Sequence, residues 1–164
     1  MPTAYIGLGS NLDAPCEQVE RALRALDMLS QTRLVTRSCL YRTPPWGGIA
    51  QPDFINAVAE IETSFEAHEL MRALLDIEHR AGRRRAGERN GPRVLDLDLL
   101  VYADERIDSS DLKIPHPYLH ERAFVLVPMA EIAPQLSVPG RGVVRDLLAA
   151  VDGVADIVQV AESH

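Results

Sequence analysis

Apolar and polar positions along this 164-residue chain repeat with two periods, and each period predicts one kind of element. Segments that alternate, or that are rich in β-branched residues, predict strands, and apolar stripes at helical spacing predict helices. The predicted strands are residues 3–9, 32–41, 54–64 and 94–101, and the predicted helices are residues 14–29 and 67–80. We expect Asp13 to cap the first helix and Gly82 to follow the end of the second.

The remaining segments add long loops and a helical C-terminal part. Proline and glycine make residues 42–53 and 83–93 irregular loops, which inside a compact domain are usually functional. A helical pattern covers residues 118–133, interrupted by Pro128, and a last helix is expected at residues 142–151 before a short β-rich end.

The order strand, helix, strand, strand, helix, strand over residues 3–102 predicts an α+β fold of the ferredoxin-like (βαββαβ) type. Its sheet is expected to be mainly antiparallel, with helices on one face and the other face free for ligands. At this length we expect one domain, residues 1–164, with the C-terminal helices and a short strand added to the core.

Composition excludes several classes of protein. The net charge of −7 argues against general nucleic-acid binding, which requires a broad basic surface. Cys16 and Cys39 are too few for a disulfide framework or a zinc site, so we expect free thiols in a reducing cytosol. No segment approaches the roughly 18 apolar residues of a membrane span, and the N-terminus does not resemble a signal peptide. We therefore expect a cytoplasmic protein, a monomer without membrane partners.

Asp96 and Asp98 interrupt a run of Val and Leu at residues 94–101. Side chains alternate along a strand, so the two carboxylates share one face with Leu100, and their Cα atoms lie roughly 6.5–7 Å apart. The opposite face is expected to carry Leu95, Leu97, Leu99 and Val101. Two acids on an apolar strand repel each other unless a cation lies between them, and Mg²⁺ suits carboxylate and phosphate oxygens. The alternative is a solvated strand edge.

Residues 80–93 are rich in arginine, and Glu88 is the only acidic residue among them. Guanidinium groups for phosphate beside carboxylates for metal indicate Mg-nucleotide chemistry. Two other classes remain open: a metal-dependent nuclease or phosphatase that uses the same Asp pair, and a ferredoxin-like regulatory or RNA-binding module. A zinc pair of His116 and His120 is weaker, because Pro117 separates them and no third ligand is apparent.

Three further features allow a functional and a structural interpretation. Gly7 and Gly9 form an incomplete dinucleotide fingerprint, or a tight strand exit with close backbone packing. Trp46 offers a flat ring to a flat ligand, or anchors its loop to the surface. Asn56 offers a donor and an acceptor to a heterocycle edge, or caps backbone near the loop.

The chain resembles the 6-hydroxymethyl-7,8-dihydropterin pyrophosphokinases of folate biosynthesis. The central motif is Arg89-x-Gly91-Pro92-Arg93-x-x-Asp96-Leu97-Asp98-Leu99-Leu100. Further matching segments are residues 5–12, 41–45, 51–57 and 114–116, followed by Arg122-x-Phe124. Each motif alone is a moderate signal, but their joint order and spacing over nearly the whole chain make the resemblance specific.

The resemblance implies that the pterin hydroxyl attacks the β-phosphorus of ATP, which releases AMP, and that Asp96 and Asp98 carry two Mg²⁺ ions. Arg83 and Arg93 are implied as charge clamps on the reacting phosphates. The implied pterin contacts are Thr43, Pro44, Trp46, Phe54, Asn56 and Phe124. The implied ATP contacts are Glu78, Arg83, Arg85, Arg93, Leu99, Lys113, His116 and Arg122.

The chain departs from the family pattern at three positions. Asn90 replaces a Trp of many members, Pro117 follows the histidine where Tyr is frequent, and Phe54 replaces a common Tyr. None of these changes removes an implied metal ligand, so the resemblance implies altered affinities and the same reaction.

Overall fold

The computed structural model describes residues 1–44, 51–82 and 94–160. The first half contains β1 (Thr3–Ser10), α1 (Pro15–Met28), β2 (Thr32–Arg37), β3 (Tyr41–Thr43), β4 (Phe54–Thr63) and α2 (Ala67–Arg80). The second half contains β5 (Asp96–Tyr102), β6 (Ile107–Asp108), β7 (Lys113–Ile114), α3 (Ala123–Ile132), β8 (Ser137–Val138), β9 (Gly142–Val143), α4 (Val144–Ala150) and β10 (Val158–Gln159). Short 3₁₀ turns cover Leu119–Glu121 and Val154–Asp156.

The main sheet has the order β10-β3-β4-β1-β5, with β2 paired to the second half of β4. All of these pairs are antiparallel. Because β2 and β3 share one partner strand, together they take the place of the second strand of a ferredoxin-like sheet. The predicted α+β, ferredoxin-like core is therefore confirmed, and the predicted β-rich end is present as β10.

The prediction of one continuous strand over residues 32–41 was wrong, because the strand is interrupted at Ser38. The buried Ser38 hydroxyl accepts a hydrogen bond from the Val58 N–H at 2.9 Å, while the Ser38 N–H donates to the Val58 carbonyl at 2.9 Å. The side chain thereby occupies a bonding position that the backbone of a regular strand would fill. The loop expected to begin at Arg42 begins later, since Arg42 and Thr43 belong to β3.

Apolar residues pack on both faces of the sheet. On one face Ile6, Leu26 and Leu70 belong to the core formed with α1 and α2. On the other face Val58 and Leu126 belong to a second core formed with α3 and α4. The expectation that this second face is free for ligands was therefore wrong over the part that the C-terminal helices cover, and a ligand site is confined to the remainder.

A β-bulge at Leu100 changes the alternation along β5. Ile6 pairs with Leu99 and Tyr5 pairs with Val101, so Leu100 is an extra residue opposite β1. Val101 consequently packs in the second core with Leu100, and its predicted place beside Leu99 was wrong. The alternation holds before the bulge, so the shared face predicted for the two aspartates is present.

The ends of the helices follow the predictions in part. Ala14, with φ of 60°, is the N-cap of α1 and no side chain caps the helix, so the predicted Asp13 cap was wrong. Gly82 follows the end of α2 with φ of 89°, as predicted for a residue after a helix. α3 continues through Pro128. No helix within the three described ranges is long and apolar enough to cross a membrane.

Candidate active site

The sheet register brings residues from four strands into one row. Asn56 pairs with Tyr41 on β3 and with Gly9 on β1, and Gly9 pairs with Asp96 on β5. Directly paired residues point to the same face of a sheet, and each step between strands is about 4.8 Å, so the Cα atoms of Asn56 and Asp96 lie about 10 Å apart. Since Gly9 carries no side chain, β1 places no side chain between the Asn56 amide and the Asp96 carboxylate, and we call this stretch of the row the trough.

Gly9 on β1 is needed because the Asn56 side chain lies close to it, whereas a methyl group at Gly7 would make an ordinary contact. A Cβ added at Gly9 would lie 3.0 Å from Asn56 Nδ2, and one at Gly7 would lie 3.4 Å from Leu100 Cδ1. Both glycines lie inside β1, so the predicted tight strand exit was wrong, whereas the predicted close packing is present. The trough at Gly9 therefore depends on the absence of a methyl group.

Asn56 and Thr43 each have a buried polar atom whose hydrogen bonding is unsatisfied among the described residues. Asn56 is 8% exposed and Thr43 is equally enclosed, yet Asn56 Oδ1 and Thr43 Oγ1 find no hydrogen-bond partner among the residues that the structure describes. An unsatisfied buried polar atom costs about 1–3 kcal/mol, so such atoms are typical of ligand sites. Phe54 pairs with Thr43 beside them, and Pro44 is exposed at the end of β3.

Asp96 and Asp98 are half-buried and lie opposite Gly9 and Gly7, respectively. Their oxygens are hard donors, which is the chemistry that Mg²⁺ prefers. Within residues 1–44, 51–82 and 94–160, no group of three His, Cys, Asp or Glu residues could hold a metal ion. The two carboxylates fit a Mg²⁺ ion that takes its other ligands from phosphate oxygens and water, which is how Mg²⁺ usually binds.

Glu78 supports the aspartate pair from the interior. The side chain of this α2 residue is 1% exposed, and its Oε2 accepts a hydrogen bond from the Leu97 backbone N–H at 2.6 Å. Leu97 lies between Asp96 and Asp98, so the Glu78 carboxylate fixes the backbone that carries both. A contact between Glu78 and ATP stays a prediction.

His116 lies beside the aspartates on a segment tied to β5. Its backbone N–H donates to the Leu100 carbonyl at 2.9 Å, and its Nδ1 accepts a hydrogen bond from the Tyr118 backbone N–H at 3.3 Å. Burial, aided by the Arg122 charge and opposed by Asp96, lowers the pKa of His116 to about 4. The imidazole is therefore neutral near pH 7, and because Nδ1 accepts, its proton is on Nε2.

Arg122 is held between two aromatic rings. Its Cζ lies 5.5 Å from the centroid of the Tyr118 ring and 5.6 Å from that of the Phe124 ring. These distances are within the range of cation–π interactions. Sequence reasoning selected Arg122 and Phe124 but missed Tyr118, although the spacing of four residues between Tyr118 and Arg122 was a signal for a helical or turn contact.

Two other predicted ATP contacts, Lys113 and Leu99, have partners within the protein. The Lys113 ammonium forms an exposed ion pair with Asp108 at 2.5 Å across the β6–β7 hairpin. The Leu99 side chain packs in the core under α1 and α2, on the opposite face from Asp98, so only its backbone is close to this site. Contacts of either residue with ATP stay predictions.

Several predicted residues lie outside the described ranges. These are Trp46 in the first loop and Arg83, Arg85, Asn90 and Arg93 in the second. Their assignments stay predictions.

Comparisons with known proteins identify the family of this chain. A sequence model of 7,8-dihydro-6-hydroxymethylpterin-pyrophosphokinase (HPPK) matches residues 5–134. The chain is 47% identical over 148 residues to a 2-amino-4-hydroxy-6-hydroxymethyldihydropteridine pyrophosphokinase of Haemophilus influenzae, covering 90% of this chain and 92% of that protein. It is 45% identical over 146 residues to the enzyme of that name from Pseudomonas aeruginosa, covering 89% and 90% of the two chains.

Solved structures show the same fold in more distant proteins. The wild-type HPPK-DHPS of Plasmodium falciparum with pteroate matches with a TM-score of 0.71 at 13% identity. That match covers 90% of this chain, which spans only 42% of the Plasmodium chain. An HPPK-DHPS in complex with substrates matches with a TM-score of 0.69 at 14% identity, covering 91% of this chain and 43% of that one. These structures share the fold, and the family model together with the sequence relatives establishes that the chain belongs to the 7,8-dihydro-6-hydroxymethylpterin-pyrophosphokinase family.

Proposed function

We propose that the trough between Asn56 and Asp96 is where this chain performs the reaction of its family. That reaction is pyrophosphoryl transfer from ATP to 6-hydroxymethyl-7,8-dihydropterin in folate biosynthesis. One observation carries the assignment of the site: the sheet row that joins Asn56, Gly9 and Asp96. The Asn56 amide, which could bind a heterocycle, lies about two strand spacings from the Asp96 carboxylate, and β1 places no side chain between them.

At one end of the trough, Asn56 and Thr43 are proposed to form hydrogen bonds with the pterin. Their buried oxygens, which have no hydrogen-bond partner among the described residues, match a heterocycle that presents N–H donors, and the Asn56 amide can also donate. Phe54 and Phe124 supply apolar surface for the ring, with Pro44 and Trp46 as further wall residues. Burial of the polar atoms makes these hydrogen bonds selective, since a ligand without matching groups leaves them unsatisfied.

The phosphate side is proposed to be held by Asp96 and Asp98 together with basic groups. Asp96 and Asp98 would hold two Mg²⁺ ions, which would supply positive charge to neutralise the phosphates during transfer. The two carboxylates, fixed through Glu78 and Leu97, hold their oxygens on the trough side of β5. Arg83, Arg85 and Arg93 are proposed to clamp the phosphates, with Lys113 and the Leu99 backbone toward the nucleotide.

His116 and Arg122 are proposed to act on the same phosphates by different means. The neutral imidazole, with Nδ1 occupied by the Tyr118 N–H, has its Nε2–H free to donate to an anionic oxygen. Arg122 supplies a permanent positive charge in a planar fork that suits phosphate. The hydroxymethyl oxygen of the pterin attacks the β-phosphorus, and AMP leaves from the opposite side.

The test is AMP formation from ATP and Mg²⁺, with and without 6-hydroxymethyl-7,8-dihydropterin. The proposal requires AMP that depends on the pterin, in equal amount to the pterin diphosphate, without ADP. Release of ADP or phosphate without pterin would instead indicate a hydrolase that uses the Asp pair. The variant Asn56→Leu should raise the KM for the pterin and leave the KM for ATP within about twofold.

We also propose that the chain works as one domain. The two cores lie on opposite faces of a single sheet, and both include residues of β1, β4 and β5, so neither is complete alone. Urea unfolding should therefore give coincident transitions by fluorescence and circular dichroism. Two separated transitions would show independent domains.

A further inference from the structure

The side chain of Tyr118 has no assigned role, although it lies on the site. It is 54% exposed, and its ring is one of the two that lie against the Arg122 guanidinium. The ring also makes an edge contact with His116, with ring centroids 6.2 Å apart. An exposed aromatic side chain is often incidental, but this one contacts two residues proposed to act on phosphate.

The backbone around Tyr118 and Arg122 is fixed by hydrogen bonds. The Tyr118 carbonyl accepts from the Glu121 N–H at 3.0 Å, and the Arg122 carbonyl accepts from the N–H groups of Val125 and Leu126 at 3.0 Å each. With both backbones held, the position of the guanidinium depends on the torsions of its own long side chain. Such a side chain has high rotamer entropy, so contacts along its path decide where its charge lies.

The contacts that hold Arg122 come from aromatic rings. No carboxylate pairs with its guanidinium in the described part of the chain. A ring attracts a cation through its face and uses none of the five N–H donors. Arg122 therefore keeps its donors available for an anionic ligand while its charge is held in place, whereas an acidic partner would neutralise it.

We propose that Tyr118 is a positioning residue for the ATP side of the site, which holds the Arg122 guanidinium against Phe124 so that its donors face the phosphates. This inference rests on the proposed function, because it assumes that Arg122 acts on ATP. Tyr118 itself is not a catalytic residue, since its effect passes through Arg122. Because Tyr118 is largely exposed, its replacement should leave the fold intact.

The experiment compares Tyr118→Leu, which removes the ring, with Tyr118→Phe, which keeps the ring and removes the hydroxyl. We expect Tyr118→Leu to raise the KM for ATP about fivefold, with the KM for the pterin within about twofold, and Tyr118→Phe to match the wild type. In an Arg122→Met background, Tyr118→Leu should change the KM for ATP no further. Thermal unfolding and circular dichroism of each variant verify the fold.

Several results would overturn the inference. These are an unchanged KM for ATP in Tyr118→Leu, an equal rise in Tyr118→Phe, or the same rise in the Arg122→Met background. Absence of pterin-dependent AMP formation by the wild type would refute the proposed function instead. In that event, calorimetric titration with Mg-ATP tests the positioning role alone: a weaker Kd in Tyr118→Leu that requires Arg122 supports it, and an equal Kd refutes it.

Discussion

Glu78 Oε2 lies 2.6 Å from the backbone nitrogen of Leu97, the residue between the two aspartates of β5. A fully buried carboxylate on α2 is thus directed at the strand that carries the proposed metal ligands. The contact joins the helix layer to the site, so the geometry of the aspartates depends on a residue from the opposite face of the sheet.

Replacement of Glu78 should destabilise the fold, and more so when the new side chain cannot accept the hydrogen bond from Leu97. We expect Glu78→Leu to lower the free energy of unfolding by about 1–3 kcal/mol or more, because the buried Leu97 N–H loses its partner. Glu78→Gln keeps a carbonyl oxygen in nearly the same position and should cost less. Urea unfolding of the two variants measures the difference, and equal losses would show that the charge, and not the acceptor, stabilises β5.

The aspartates should be needed for turnover and not for folding. Asp96→Asn and Asp98→Asn keep the size of each side chain and remove the anionic oxygen that a hard cation requires. We expect each to lower kcat by about 100-fold or more, as for other losses of electrostatic stabilisation. AMP formation measures this effect. The control is Asp76→Asn, which removes an exposed carboxylate paired with Arg80 on α2 and should retain activity.

The trough at Gly9 should not tolerate a methyl group. In Gly9→Ala the new Cβ lies 3.0 Å from Asn56 Nδ2, so the amide must move. The hydrogen bonds that we propose between Asn56 and the pterin should then weaken. We expect the KM for the pterin to rise about fivefold to tenfold, with unfolding little changed. Gly7→Ala is the matched control, because its Cβ makes an ordinary contact at 3.4 Å from Leu100. Equal effects of the two variants would contradict the assigned pterin position.

His116 should make the folded state less stable in acid. Its pKa falls to about 4 in the folded protein, so between about pH 4 and 6.5 the unfolded chain binds a proton there that the folded chain does not. The free energy of unfolding therefore falls as the pH drops through this range. We expect His116→Gln to lose less stability than the wild type between pH 6.5 and 4, measured by urea unfolding in metal-free buffer. Parallel pH profiles would contradict the lowered pKa.

The sequence predicted elements best where a pattern had a single interpretation. Residues 67–80 carry an apolar stripe at helical spacing with Gly82 after it, and α2 has these bounds. The sequence did not predict the bulge at Leu100, because Leu100 and Val101 are both apolar and either could face either core. The sequence did not predict the break at Ser38 either, because the break depends on a hydroxyl that accepts a hydrogen bond from Val58 on another strand.

The site could be predicted in its chemistry but not in its arrangement. Asp96 and Asp98 follow from alternation along one strand, which is local information. The row that joins Asn56, Gly9 and Asp96 depends on the register between distant strands, which one sequence does not reveal. Tyr118 was missed because its spacing from Arg122 is only a weak signal, and the fold is needed to show its ring against the guanidinium. The identity of the reaction came from the resemblance.

The position of β1 between β4 and β5 also has a consequence for folding kinetics. Gly9 meets Asn56 and Asp96 only after two long stretches of chain close into loops, and the second closure spans more than half the sequence. Loops of this length form slowly because closing them costs much conformational entropy of the chain. A folding intermediate in which β1 and β4 have paired before β5 docks would contain Asn56, which we propose binds the pterin, without the aspartates in place. In such an intermediate, recognition of the pterin would precede the ability to transfer phosphate.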